Sequence, residues 1–135
     1  DFYPTIVDLC GFPVPDALQG MSLVPSLKDV HHPVKPFAFS QFMKNGQMGY
    51  SIFDEKYRYT AWLDNPDGIS GDVNTGPEYG EIRREELYDF ASDPDETINL
   101  AGNADNQIVQ ELLKKELLDF IKNVSANHPL SELKP

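Results

Sequence analysis

The sequence predicts an α+β fold: a four-stranded antiparallel sheet packed against a long C-terminal helix, preceded by a short N-terminal helix and a Pro-rich loop. Three observations carry this expectation. Residues 37–63 hold three short runs that alternate apolar with polar at hairpin spacing. A fourth run at 86–90 is followed by Asp93-Pro94, a pair suited to ending a strand and opening a turn. Residues 105–124 repeat apolar side chains at helical spacing, and such a face must find a sheet to cover.

Taken in order, residues 2–10 place Ile6, Val7 and Leu9 around a short helix that Gly11 terminates, glycine being the residue that enters left-handed backbone most readily. The helix is apolar on most sides and is expected to be buried within a longer protein, with Cys10 as a small apolar residue on it. Pro13, Pro15, Pro25, Pro33 and Pro36 then prevent any long regular element, since each removes a backbone donor. One helical turn is expected at 22–27, with Leu23 and Leu27 facing inward. His31 and His32 are adjacent and therefore point apart, which reads as a solvated pair and not as two metal ligands.

Strands are expected at 37–42, 50–54, 57–63 and 86–90, with a loose turn over 44–49 and a tight one at Asp54-Glu55-Lys56. Along the third run Tyr57, Tyr59 and Ala61 share one face while Arg58, Thr60 and Trp62 share the other. Arg58 is expected to reach Glu86 or Asp89 in a structural ion pair. Residues 64–80 are rich in Gly and Pro and read as an irregular surface excursion. Asp64, Asp67 and Asp72 lack the terminal glutamate that a calcium loop requires.

Asp93, Pro94 and Glu96 have the spacing of a capping box, so a helical turn is expected to begin there. Asn99, Leu100 and Ala101 lead into the long helix. Ile108, Val109, Leu112, Leu113, Leu117, Phe120, Ile121 and Val124 fall on its apolar face, Leu113 is expected to meet Leu87 in the core, and Glu111 with Lys115 forms an i, i+4 pair.

The 135 residues suffice for one core. With 22 acidic against 11 basic residues the formal charge is −11, which disfavours nucleic acid and anionic membranes as partners. The same field would not steer an anionic sugar, so any such contact needs a local basic residue. There is no apolar run near eighteen residues and no signal peptide, and the single cysteine excludes an internal disulfide. Asp1-Phe-Tyr-Pro begins within a helical pattern, which reads as a segment cut from something longer.

Glu86-Leu-Tyr-Asp89, then Asp93-Pro-x-Glu96-Thr-x-Asn99-Leu-Ala101, resembles the C-terminal signature of the sulfatases, sulfuric ester hydrolases of the alkaline-phosphatase superfamily. The stretch from Asp1-Phe-Tyr-Pro to Gly11, with Pro13-Val-Pro and Gly20-Met-Ser-Leu-Val-Pro, is similar to the segment leading out of their catalytic domain. Ser40-Gln-Phe42, Met48-Gly-Tyr-Ser-Ile52 and Lys56-Tyr-Arg-Tyr-Thr-Ala-Trp62 resemble the iduronate-2-sulfatase branch.

The resemblance implies that residues 1–36 lead out of an absent catalytic domain, that 37–125 form the C-terminal subdomain and that 126–135 are a tail. It implies a parent that hydrolyses sulfated glycans with a formylglycine nucleophile and calcium, in a secreted, periplasmic or lysosomal setting. Cys10 does not match the nucleophile motif Cys-x-Pro-x-Arg, because Phe12 and Val14 stand at the Pro and Arg positions. No catalytic residue, metal ligand or cofactor is therefore expected in this chain. Gln41, Lys44 and Tyr50 are the substrate-pocket candidates, with Lys44 at the place where the iduronate branch carries a basic residue.

The expected partners are the parent catalytic domain, a sulfated carbohydrate through that parent, and a second copy through the apolar helix at 1–11. Two other readings stay open at this point: a stand-alone α+β binding or assembly module, and the C-terminal part of a phosphate or phosphonate ester hydrolase.

Overall fold

The structure, a computed structural model, describes residues 1–64 and 81–126, the side chains of 124–126 excepted. The expectations for Asp67 and Asp72, for the tail and for the Val124 side chain lie outside those residues. The chain forms two compact units, Asp1–Pro36 and Phe37–Pro135.

In the first unit α1 (Phe2–Leu9) ends near Gly11, whose φ of 76° is the left-handed conformation expected of a terminator. Thr5 joins the helix to the loop that follows. Its hydroxyl donates to the Asp1 carbonyl at 2.6 Å and accepts the Leu23 N–H at 2.9 Å. The Asp1 carboxylate accepts the Met21 N–H at 2.9 Å and pairs with Lys35, while the Ser22 hydroxyl donates to Asp8 at 2.5 Å.

These bonds bury Pro4 and Thr5 and leave Phe2 and Leu9 exposed at 82% and 63%. Cys10, expected on a buried helix, is exposed in this chain. The helical turn α2 runs Val24–Lys28, two residues later than expected, with Pro25 in its first turn. Val24 is the residue it buries, and Leu27 points outward, because α2 is too short to present more than one inward position.

In the second unit β1 (Ala38–Lys44), β2 (Gln47–Phe53), β3 (Tyr57–Asp64) and β4 (Ile82–Asp89) form one antiparallel sheet in the order β1-β2-β3-β4. The first turn is tighter than expected. Asn45 and Gly46 alone connect β1 to β2, both with positive φ (52° and 75°), and Lys44 pairs directly with Gln47. Asn-Gly is the dipeptide that such a two-residue hairpin favours. At the second turn the Asp54 carboxylate accepts the N–H groups of Lys56 and Tyr57 at 2.6 and 2.5 Å.

The capping box does not form. Residues 90–92 and 94–95 make turns, and Asp93 instead accepts the N–H groups of Thr97 and Ile98 at 2.7 and 2.8 Å. Glu96 takes a left-handed φ of 52°, which no helical first turn allows. Its carboxylate is the partner of Arg58 at 2.9 Å, replacing the expected Glu86 or Asp89. Asn99 then binds the segment to β4. Its side chain accepts the Leu87 N–H at 2.9 Å and donates to the Glu85 carbonyl at 3.3 Å, while the Leu100 N–H donates to the Leu87 carbonyl at 2.8 Å. The family-like stretch from Asp93 to Ala101 thus occupies backbone groups of β4 that would otherwise be left unpaired at a sheet edge.

A 3-10 turn at Ala104–Asn106, capped by Asn103, opens α3 (Gln107–Ala126). Leu113, Leu117 and Ile121 pack on Ile52, Tyr59, Ala61, Leu63 and Leu87 to make the core. Leu87 and Leu113 are both fully buried there, as expected, and each contributes roughly 1.5–3 kcal/mol of apolar burial. Phe120 stacks on Phe39 with ring centres 3.7 Å apart.

The buried stripe is narrower than the periodicity suggested. Ile108 and Leu112 are 86% and 53% exposed, because the sheet covers only the side of the helix that buries Gln110, Leu113, Leu117 and Ile121, with Val109 and Phe120 at its margin. Among the described residues the ion pair of α3 is Lys114 with Glu85 at 3.0 Å, and Glu111 forms none with Lys115.

Candidate functional site

Alternation along the strands sends one set of side chains to α3 and the other to the opposite face. The strand register arranges that opposite face in rows. Phe42, Gly49, Trp62 and Arg84 form one, and Ser40, Ser51, Thr60 and Glu86 form the next. Phe53, Arg58 and Tyr88 make a third, with Glu96 reaching in from the loop after β4. All of these except Arg84 and Phe53 line a shallow depression of about 160 Å³.

Gly49 is required where it stands. A Cβ there would lie 2.9 Å from the Trp62 ring, so only glycine lets the indole lie across β2. The Arg84 guanidinium lies over that ring, 4.8 Å from its centre, and the indole N–H donates to Glu86 at 3.0 Å. Arg84 also reaches Glu86 at 3.0 Å. The Ser51 and Thr60 hydroxyls meet at 2.6 Å. Arg58 lies 5.4 Å above the Phe53 ring while it holds Glu96, whose other carboxylate oxygen is buried without a hydrogen-bond partner among the described residues. Burial, then the charges of Glu86 and Glu96, push the Tyr88 phenol above its ordinary pKa, so it remains a donor at neutral pH.

The sheet separates the three expected pocket residues. Gln41 faces Tyr50 across β1 and β2, on the side that carries α3, and its amide donates to the Met48 sulfur at 3.2 Å. Tyr50 packs against the core. Lys44 alternates with Phe42 onto the other face, at the hairpin end, exposed and without an ion pair to another described residue. His31 and His32 stand exposed in the first unit.

A β-bulge between β3 and β4 was not foreseen. Leu63 pairs with Ile82 and Trp62 with Arg84, so Arg83 is an extra residue on β4. Arg83 binds Asp64 at 2.5 Å and Glu81 at 3.3 Å. The signal available in the sequence was Arg83-Arg84 itself, two consecutive cations in an acidic chain.

Among the described residues no three His, Cys, Asp or Glu side chains converge as metal ligands. The formylglycine motif does not fit Cys10 either, so no chemical step is derived through calcium or formylglycine in this chain. No helix among the described residues is long and apolar enough to cross a membrane.

A four-stranded antiparallel sheet braced by one helix and closed by the Asp93–Ala101 turn is a subdomain also found in sulfatases. Arylsulfatase K of Xenopus laevis is 29% identical over 140 residues, covering 95% of this chain and 23% of that protein. The Delta 4,5-hexuronate-2-O-sulfatase of Bacteroides thetaiotaomicron is 30% identical over 106 residues, covering 75% of this chain and 18% of its own length.

Among solved structures, a 2-O GAG sulfatase matches with a TM-score of 0.66 and 27% identity, over 99% of this chain and 26% of that one. The phosphonate monoester hydrolase of Agrobacterium radiobacter matches at 0.60 and 25%, over 93% of this chain and 24% of that one. No family model matches. The chain belongs with the sulfatases and corresponds to their C-terminal portion. It spans between 17% and 28% of the length of the curated relatives it matches.

Proposed function

We propose that this chain is the C-terminal subdomain of a sulfuric ester hydrolase that acts on sulfated glycans, and that it braces the catalytic domain while the β1–β2 turn helps form the substrate pocket. The likeness to arylsulfatase K over 95% of the chain supports the class most directly. In this reading the nucleophile, formylglycine and calcium belong to the preceding part of the protein, which works in a secreted, periplasmic or lysosomal setting. Lys44, held at the hairpin tip by the Asn45-Gly46 turn, supplies a point charge for a sugar sulfate or carboxylate. Gln41 and Tyr50 act behind it, on the helix side of β1 and β2, as supports for the hairpin.

Within the class we favour a 2-O-sulfated uronic acid as substrate. The iduronate-like motifs and the relative named for hexuronate-2-O-sulfate both point that way. A second reading has one specific observation behind it, the match to a phosphonate monoester hydrolase. The test is the complete protein assayed on a 2-O-sulfated unsaturated uronate disaccharide and on an aryl phosphonate. Sulfate release, with a Cys-x-Pro-x-Arg or Ser-x-Pro-x-Arg motif upstream, is expected. Turnover of the phosphonate alone, or of neither substrate, overturns the sulfatase reading.

A further inference from the structure

We propose that the sheet end formed by the β1–β2 turn and the β4 bulge is a binding site for an anionic oligosaccharide, with Lys44 and Arg84 holding its acidic groups and Phe42 presenting a ring to a sugar. The choice of ligand rests on the sulfatase reading above, and the choice of residues rests on the sheet.

Period-two alternation places Lys44, Gln47 and Asp64 in one further row of the face away from α3, beyond Phe42, Gly49, Trp62 and Arg84. Uninterrupted alternation would send Arg83 to the α3 side with Glu85. The bulge breaks that alternation, so Arg83 reaches Asp64 while Arg84 lies over Trp62, and both cations serve the same face. Bulges of this kind commonly re-aim a side chain beside a binding or active site. Lys44, Arg83 and Arg84 are thereby gathered at one end of the sheet in a chain whose net charge is −11.

The three cations are not equivalent. Arg83 is neutralised by Asp64 and Glu81. Among the described residues Arg84 has a single carboxylate contact, Glu86, which also accepts the Trp62 indole N–H. Its guanidinium is fixed in plane by the ring beneath it and is 56% exposed, which leaves N–H donors for a sulfate or carboxylate. Lys44 forms no ion pair with another described residue.

Three strand spacings, about 14 Å, separate the β1 and β4 positions, too far for one anionic group. The spacing suits successive acidic groups along an oligosaccharide. Phe42, 66% exposed, stands on the Lys44 side, next to Gly49, over which the Trp62 ring lies.

The experiment titrates the isotope-labelled 135-residue chain with a heparin-derived tetrasaccharide and, separately, with uncharged chitotetraose. Backbone resonances of Phe42 to Gln47 and of Arg83 and Arg84 should move with the first probe only. Lys44→Gln and Arg84→Gln should each weaken binding about tenfold, the loss of one charge-assisted contact. Lys122→Gln, on α3, should leave it unchanged. The Trp62 indole resonance reports whether Arg84→Gln keeps its fold, and if it does not, Lys44→Gln and Phe42→Ser decide.

Absent or scattered shifts, equal binding of chitotetraose, or equal weakening by Lys122→Gln overturns the site. The two readings fail separately. A complete protein that releases sulfate with an unchanged KM after Lys44→Gln and Arg84→Gln removes this site and keeps the class. A chain that binds the tetrasaccharide within a protein that hydrolyses no sulfate does the reverse.

Discussion

Glu85 is the residue through which sheet and helix are tied by charge. Its carboxylate accepts the Tyr59 hydroxyl at 2.5 Å and Lys114 at 3.0 Å. Burial alone would raise its pKa, but the bonds from Tyr59 and Lys114 outweigh burial and hold it below the ordinary value of 4.5. Burial and Glu85 together push the Tyr59 phenol far upward, so it remains the donor throughout the accessible range.

A depressed carboxyl contributes stability that is present above the unfolded pKa and is lost as pH falls through the folded one. The unfolding midpoint should therefore drop below about pH 4.5, and Glu85→Gln should flatten that part of the profile. Asp89 acts in the same direction, since the Ser92 backbone N–H and Lys56 outweigh its burial. Leu113→Ala should cost about 2–5 kcal/mol in denaturant unfolding, because the fully buried site faces a sheet that cannot collapse into the space.

Two glycines set the geometry of the β1–β2 element for different reasons. Gly46, with φ 75° and open space around it, is needed for backbone alone, so Gly46→Ala should destabilise by roughly 1–2 kcal/mol. Gly49 is needed for space, and Gly49→Ala should cost about 1–3 kcal/mol through overpacking against Trp62. Thermal unfolding would register both. The Trp62 fluorescence of the folded state should change only in Gly49→Ala, whose added methyl must displace the ring from its place over β2.

On the scale of the whole molecule, the chain alone should turn over no aryl sulfate in the presence of calcium, since Cys10 stands outside the nucleophile motif. Turnover that survives Cys10→Ala and His32→Ala would contradict this. We also propose self-association through α1, where Phe2, Ile6 and Leu9 expose apolar surface on one short helix. A charge of −11 on each copy opposes close approach, so the association should tighten as salt screens it. Sedimentation at low and high ionic strength measures this, and a monomer at both removes it.

The sequence by itself determined the number of strands, the antiparallel meander of the first three and the covering helix, because period-two and helical patterns are local and short hairpin spacings leave little choice; which edge β4 joins was decided by the tertiary structure. It also determined which face of β3 holds Tyr59 and which holds Thr60 and Trp62. Tertiary structure alone decided what depends on two segments meeting. Glu96 has the spacing of a capping residue, yet Arg58 and a left-handed backbone take it elsewhere.

Ile108 and Leu112 belong to the helical pattern, yet the sheet covers only the side of the helix centred on Leu113, Leu117 and Ile121. Gln41 and Tyr50 face one side of the sheet and Lys44 the other, a consequence of register that the motif concealed. Arg83 and Arg84 come to one face because the pairing of β3 with β4 skips a residue. That skip is a property of two strands together, and the consecutive Arg83-Arg84 marks its place in the sequence without fixing the register.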